Sequence, residues 1–220
     1  MGTLFIVATP IGNLEDITLR ACRILKEADF VACEDTRRTA VLLDHYKIKK
    51  SLISYHQHSK IEKIDKLVEL LKSGKNIALV TDAGTPGISD PAGLLIQEAL
   101  KHTINVEPIP GPSVLTAMLS ATGEDTQRFL FLGYLPKKKG RKTLLDFLKS
   151  SDWPIAFFES PHRIEKTLND LQQTLGDRKI IIGRELTKKF GTIYRGKISE
   201  ILKEIRPQGE FVVFISKEKK

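Results

Sequence analysis

Between a β-branched run ending at Thr81 and an apolar helical pattern opening at Pro91, the chain reads Thr81-Asp82-Ala83-Gly84-Thr85-Pro86-Gly87-Ile88-Ser89-Asp90-Pro91. A plain strand-to-helix connection needs only a few residues; this one carries two glycines, two prolines and two aspartates. Gly84 and Gly87 let backbone approach a ligand closely, Pro86 stiffens the loop and Thr85 offers a hydroxyl. A second cluster, Pro108-Ile109-Pro110-Gly111-Pro112-Ser113, ends a strand and opens a helix, so Ser113 and the first helical amides can present donors to a polar ligand. A third, Thr9-Pro10-Ile11-Gly12, follows the first apolar run. Singly, each also reads as a rigid or irregular turn; together they describe a small-molecule site built largely from main chain. No G-x-G-x-x-G follows the first strand and no G-x-x-x-x-G-K-[ST] occurs anywhere, which argues against a dinucleotide enzyme or a P-loop NTPase.

The elements that must position these loops are legible from periodicity. Residues 1–123 alternate β-branched runs with helical patterns, which predicts a parallel sheet with crossover helices. Strands are expected at Thr3–Ala8, Asp29–Cys33, Ser51–Tyr55, Asn76–Thr81 and Asn105–Ile109. Helices are expected near Ile17–Glu27, Thr36–His45, Ile61–Ser73, Pro91–Lys101 and Ser113–Ala121. Asp16 or Thr18 can cap the first helix, Gly74 can end the third, and Pro91 suits a first helical turn. Open α/β sheets bind ligands at the carboxyl ends of their strands, where the three loops fall.

After Thr122-Gly123-Glu124-Asp125 a second unit, 124–220, begins with the strand Arg128–Leu135 and the basic tract Lys137-Lys138-Lys139-Gly140-Arg141-Lys142. It continues through strands at Pro154–Glu159, Lys179–Leu186, Thr192–Gly196 and Glu210–Ser216, with helices ending near Ser150 and spanning Arg163–Leu175 and Ser199–Ile205. The reversal at Lys188–Gly191 requires a mixed or antiparallel sheet. The fold class is therefore α/β: an open parallel-sheet domain followed by a smaller mixed-sheet α/β domain.

Charge divides along the same line. The net charge is +8, and residues 125–220 alone carry 21 Lys+Arg against 12 Asp+Glu. Such a concentration suits a surface that meets a polyanion, although a solvated basic face gives the same count. Within it Lys137, Lys138, Lys139, Arg141 and Lys142, with Lys188 and Lys189, are the candidates for phosphate contacts. Cys22 and Cys33 read as buried free thiols in preference to a disulfide, and no metal is expected, because neither they nor His45, His56, His58 and His102 have ligand spacing. No apolar run is long enough to cross a bilayer and no leader pattern opens the chain, so a cytoplasmic protein is expected.

Six motifs occur in one order: Ile6-Val-Ala-Thr-Pro-Ile-Gly-Asn-Leu14, Cys33-Glu-Asp-Thr-Arg37, Asp82-Ala-Gly-Thr-Pro-Gly-Ile-Ser-Asp-Pro91, Pro110-Gly-Pro-Ser113, Phe158-Glu-Ser-Pro-His-Arg163 and Arg184-Glu-Leu-Thr-Lys188. On these the chain resembles the small-subunit ribosomal RNA methyltransferase I branch of the tetrapyrrole methylase superfamily. The resemblance implies a homodimeric enzyme with S-adenosylmethionine bound between two α/β domains. It also implies methylation of the ribose 2′-hydroxyl of a cytidine in the decoding region of 16S ribosomal RNA, free or within the small ribosomal subunit. Carried over by position, the cofactor contacts fall on Pro10, Ala83, Gly84, Thr85, Ile88, Ser113 and Val114, and in the second domain on Phe158, Glu159 and Leu186. Tetrapyrrole-acting relatives carry an acidic residue where this chain has Thr85, which weakens a corrin or porphyrin substrate reading.

A ribose hydroxyl is a poor nucleophile while protonated, so a base, or a cation beside the developing alkoxide, is needed. Candidate bases are Glu34, Asp35, Asp90 and Glu185; candidate cations are Arg37, Arg163 and Arg184. Arg163 is equally a candidate phosphate ligand, and His162 is a base, a loop-orienting residue or a phosphate contact. Each has a structural alternative: Glu34 or Asp35 can cap the helix at Thr36, Asp90 can cap the helix after Pro91, and Arg184 with Glu185 can form an internal ion pair. Methylation of a tetrapyrrole, and a basic RNA-binding assembly protein without activity, are the competing functions.

Overall fold

The computed structural model describes residues 1–55 and 61–217. His56 and His58 lie outside the described residues. The chain divides into two compact units, Met1–Ser113 and Val114–Lys220.

The first unit contains β1 (Thr3–Val7), α1 (Leu19–Glu27), β2 (Phe30–Cys33), α2 (Thr36–His45), β3 (Ser51–Ser54), α3 (Ile61–Lys72), β4 (Ile77–Val80), α4 (Ala92–Lys101) and β5 (Asn105–Ile109). Its five strands run parallel in the order β3-β2-β4-β1-β5. Both faces are covered, so β4 is buried along its whole length and reads as an unbroken apolar run. Leu4, Ile6, Ile77 and Leu79 point into one core with Leu67, Leu71 and Leu95. Val7, Ala78 and Val80 point the other way, onto Leu25, Val31 and Ile109. Each fully buried leucine or isoleucine contributes roughly 1.5–3 kcal/mol relative to exposure.

Local signals fix the ends of these helices. Thr18 caps α1 by accepting a hydrogen bond from the Ala21 amide at 3.0 Å, while Asp16 closes a short 3₁₀ turn, Leu14–Asp16. Asp35 caps α2 through the Arg37 amide at 2.9 Å. Pro91 sits at the cap position of α4 rather than inside its first turn, and Asp90 accepts from the Ala92 amide at 2.8 Å. Cys22 and Cys33 are free thiols, Cys33 buried as expected and Cys22 only partly so.

The second unit contains α5 (Val114–Ser120), β6 (Leu130–Tyr134), α6 (Arg141–Ser150), β7 (Ile155–Glu159), α7 (Ile164–Leu175), β8 (Lys179–Arg184), β9 (Thr192–Lys197), α8 (Ile198–Glu204) and β10 (Phe211–Ile215). The sheet is mixed, in the order β6-β7-β10-β8-β9, with β6 and β7 parallel and the remaining neighbours antiparallel. The expected strand 128–135 is shorter, with a register shift between Phe131 and Tyr134. Phe157, Ile182 and Val213 bury one face against Leu148 of α6, Leu168 of α7 and Ile201 of α8.

The division falls ten residues before the boundary expected at 123/124 because α5 belongs with the second sheet. Met118 of α5 is fully buried in an apolar cluster with Ala156, Phe158 and Phe214 on the other face of that sheet. Among the described residues no helix is long and apolar enough to cross a membrane.

Candidate functional site

In a parallel sheet every strand delivers its following loop to the same edge. The loops after β1 and β4 meet there in an isolated two-residue bridge: the Thr9 amide donates to the Gly84 carbonyl at 2.9 Å, and the Gly84 amide donates to the Thr9 carbonyl at 3.0 Å. Gly84 adopts φ +81°, a region unfavourable for residues with a Cβ, and an added Cβ would stand 3.4 Å from Ile11 Cγ2. Thr9 Oγ1 donates to the Thr81 carbonyl at 3.2 Å, and Thr81 Oγ1 donates to the Ala83 carbonyl at the same distance. Thr85 Oγ1 donates to the Pro112 carbonyl at 3.1 Å, which ties in the loop after β5. Thr9, Pro10 and Gly84 are buried within this knot, whereas Ala83 is exposed and Ile88 is 46% exposed. Ser113 is half-buried where the β5 loop ends.

The carboxylates sort themselves by what they hold. Asp90 closes the β4 loop, accepting the Gly87 amide on both oxygens, at 2.9 and 2.8 Å, and also the Ala92 amide. Asp35 caps α2 and is paired with the exposed Arg37 at 2.7 Å, which brings its pKa to about 2. Glu34 is different. Burial, reinforced by repulsion from Asp82 and Asp90, pushes its carboxyl above the usual range, against the opposing pull of the Asp82 amide and Arg38. A half-buried carboxyl with raised proton affinity at the carboxyl edge of a sheet is suited to taking a proton.

Two residues not singled out in the sequence anchor this corner. Asp82 accepts the Asp35 amide on Oδ1 at 3.1 Å and pairs with Arg38 on Oδ2 at 3.1 Å, joining the loops after β2 and β4. Tyr55, 2% exposed, donates to the Pro91 carbonyl at 2.9 Å and accepts from the Leu95 amide at 3.2 Å, fixing the start of α4. An aspartate directly after a β-strand, and a tyrosine ending one, are the signals that could have found them. Thr9, Pro10, Arg38, Val41 and Asp82 line an open cleft of about 100 Å³ beside α2. Among the described residues no group of three or more His, Cys, Asp or Glu side chains could hold a metal ion.

In the second unit Val114, Phe158 and Leu186 share one apolar cluster with Met118. Glu159 does not offer its side chain to a ligand: it is fully buried, accepting from Thr167 Oγ1 at 2.7 Å and from the Ser160 amide at 2.8 Å, with Arg163 Nε at 3.4 Å. Only its main chain remains for a cofactor.

Arg141 departs from its expected place in a phosphate-binding tract. It is 9% exposed, with Nε on Asp170 at 2.9 Å, Nη2 on Thr167 at 3.0 Å and Nη1 on the Pro136 carbonyl at 3.2 Å. Arg163 likewise donates Nη2 to the Leu135 carbonyl at 2.6 Å. Both guanidiniums anchor the root of the basic loop, leaving Lys137, Lys138, Lys139 and Lys142 exposed. His162 is exposed.

Arg184 and Glu185 do not form the internal ion pair considered from the sequence; each is committed elsewhere. Arg184 donates Nε to the Gln208 carbonyl at 2.7 Å and Nη1 to the Phe190 carbonyl at 3.2 Å. Glu185 Oε1 accepts from the Glu210 amide at 2.8 Å and from Lys188 Nζ at 2.9 Å. Burial raises the Glu185 carboxyl, but Lys188, the Glu210 amide and Arg184 outweigh it and hold it below the usual range. Lys188 is half-buried, and Lys189 is exposed.

The comparisons agree with this architecture. The model of the Tetrapyrrole (Corrin/Porphyrin) Methylases matches residues 3–202. A Thermotoga maritima protein named ribosomal RNA small subunit methyltransferase I is 46% identical over 219 residues, covering 98% of this chain and 99% of its own. A Bacillus subtilis protein of the same name is 45% identical over 98% of this chain and 75% of its own. Among solved structures, diphthine synthase superposes with a TM-score of 0.78 at 17% identity, covering 98% of this chain and 90% of that one. A uroporphyrin-III C-methyltransferase from Thermus thermophilus, complexed with S-adenosylhomocysteine, superposes with a TM-score of 0.68 at 19% identity, covering 96% and 97%. At these identities the structures speak for the fold, whereas the two relatives speak for descent. The chain belongs to the ribosomal RNA small subunit methyltransferase I family within the tetrapyrrole methylases.

Proposed function

We propose that this protein is an S-adenosylmethionine-dependent methyltransferase acting on small-subunit ribosomal RNA, and that it methylates the 2′-hydroxyl of a cytidine ribose. The observation that carries the reading is kinship along nearly the whole chain with proteins named for ribosomal RNA methylation. The cradle of the first unit fits the cofactor: three loops are pinned to one another by main-chain and threonine hydrogen bonds, and Ala83 and Ile88 stand outward from them. Outward-facing Ala83 and Ile88 on a rigid loop frame suit the apolar surface of a nucleoside-bearing ligand. Pro10, Gly84, Thr85 and Ser113 shape that cradle. Val114, Phe158, Leu186 and the main chain of Glu159 are the second unit's candidate contacts.

When bound, S-adenosylmethionine supplies a methyl group already activated on a sulfonium, so positioning accounts for much of the rate enhancement. Glu34 is the base that takes the proton of the attacking hydroxyl, and its burial, reinforced by Asp82 and Asp90, keeps its proton affinity high enough for that task. Asp90 holds the loop in shape, while Arg184 and Glu185 hold the β8–β9 connection. Lys137, Lys138, Lys139, Lys142 and Lys189 bind RNA phosphates. The active assembly is a homodimer.

The test is transfer of labelled methyl groups from S-adenosylmethionine to small ribosomal subunits or their RNA, with mapping of the product to a 2′-O-methylcytidine. Transfer to a base nitrogen alone would contradict the ribose chemistry and leave the family assignment intact.

A further inference from the structure

Phe190 lies in the reversal between β8 and β9 with 74% of its surface exposed, more than any other Phe, Tyr or Trp among the described residues. Reversals ordinarily carry small polar residues. The segment that displays this ring is held firmly. The buried guanidinium of Arg184 grips the Phe190 carbonyl and, through Nε, the Gln208 carbonyl. Glu185 adopts φ +50° and Thr187 φ +65°, the latter an outlier for a β-branched residue. Glu185 Oε1 is fastened to the Glu210 amide, and its side chain occupies the space left open at Gly209, where a Cβ would stand 2.3 Å from Glu185 Cγ. The Gly191 amide closes the turn on the Lys188 carbonyl at 2.9 Å. Two left-handed non-glycine residues persist only where their surroundings enforce them, and such strain concentrates where a chain presents something.

What is presented is an aromatic ring with a cation over one face and the other face open. Lys189 Nζ lies 5.6 Å from the Phe190 ring centroid. This half of the chain, residues 125–220, carries 21 Lys+Arg against 12 Asp+Glu. That setting favours a polyanionic partner over an apolar protein face. Within a polyanion, an aromatic ring flanked by an ammonium recognises an unpaired base, whose π-face stacks on the ring while the adjoining phosphate meets the cation. A base inside a duplex has no free face to offer.

The structure assigns Phe190 as a stacking platform for an unpaired base of the RNA substrate, with Lys189 supplying the adjoining phosphate contact. The assignment rests on the RNA reading above and adds a demand that the substrate be locally single-stranded at this point.

The experiment compares wild type, F190A, F190L and F190W in binding a labelled single-stranded oligoribonucleotide of about a dozen nucleotides and its paired duplex. Stacking of one base predicts that F190A weakens single-strand binding by roughly ten- to one-hundred-fold. F190L should be nearly as weak and F190W at least as tight as wild type, with duplex binding and S-adenosylhomocysteine affinity unmoved. In methylation of small ribosomal subunits, F190A should raise KM for the subunit and spare kcat. In a W153F background, which removes the single native tryptophan, the indole of F190W should be quenched on adding the single strand. F190L binding as well as wild type would overturn the stacking role. Loss of self-association in F190A, with RNA affinity intact, would place the ring in a contact between copies instead. Wild type that binds and methylates RNA while F190A does so equally well sinks this inference alone; wild type without RNA affinity sinks the RNA reading with it.

Discussion

Thr9 and Gly84 exchange two backbone hydrogen bonds across the ends of neighbouring parallel strands, N–H to carbonyl at 2.9 and 3.0 Å. That bridge, together with the bond from the Thr9 hydroxyl to the Thr81 carbonyl 72 residues on, makes one object of two loops far apart in the sequence. It depends on Gly84 at φ +81°. Gly84→Ala forces a Cβ into that region at roughly 1–2 kcal/mol, so the melting temperature should fall by about 2–8 °C. If the knot is the cofactor cradle, calorimetric titration should show S-adenosylhomocysteine affinity falling at least about tenfold, which is 1.4 kcal/mol. A variant that melts early but binds normally would separate the bridge from the cofactor.

Thr85 gives the second expectation. Its hydroxyl donates to the Pro112 carbonyl, and an ionised carboxylate, being acceptor-only, has nothing to donate there. Thr85→Ser should keep the bridge and Thr85→Val should lose about 0.5–1.5 kcal/mol. Thr85→Asp should be worse than Thr85→Val at neutral pH and recover in mild acid, where a protonated carboxyl donates again. Thermal melts of the three variants across pH 4–8 measure this.

The third concerns Glu34, whose carboxyl is raised by burial and by the carboxylates of Asp82 and Asp90. A base must be unprotonated, so methylation should rise with pH to a plateau, with an apparent pKa above the ordinary glutamate range. Glu34→Gln should reduce kcat by about 10²–10⁴. The folded-state pKa exceeds the unfolded one, so the relative stabilisation is present in acid and is lost as pH rises through the folded value. Glu34→Gln should therefore melt higher than wild type at neutral pH, with the gap closing toward pH 4. Full activity in that variant would move the proton transfer elsewhere.

Arg141 and its neighbouring lysines should separate cleanly. Arg141→Ala leaves Asp170 half-buried without its main partner and Thr167 without a donor, and should destabilise the fold by about 3–5 kcal/mol. Replacing exposed Lys137, Lys138, Lys139 and Lys142 with alanine should leave the melt unchanged. The same change should weaken RNA binding and shallow its log–log salt dependence by about 0.7–0.9 for each phosphate no longer neutralised. S-adenosylhomocysteine binding should not move.

Both sheets were legible because their signals are local and periodic: β4 is an unbroken apolar run, and the reversal after β8 forces antiparallel pairing. The caps at Thr18 and Asp35 were readable for the same reason. Elements whose allegiance is settled by tertiary burial were less legible. Helix α5 follows β5 directly in sequence, yet Met118 buries itself in the second unit's core. Side-chain commitments were least legible of all. Glu34 and Asp35 are adjacent carboxylates in one motif, and only the placement of Asp82, Asp90 and Arg37 separates the raised one from the lowered one. Arg141 looks like its neighbouring lysines until Asp170 and Thr167, a helix away, are found to enclose it.

Methyl transfer to ribosomal RNA is tested by tritium transfer from methyl-labelled S-adenosylmethionine with three acceptors side by side: small ribosomal subunits, their extracted RNA, and a porphyrin or corrin precursor. The expected result is label in the RNA, recovered after digestion as a 2′-O-methylated cytidine, and none in the macrocycle. Label in the macrocycle with none in either form of the RNA would contradict it.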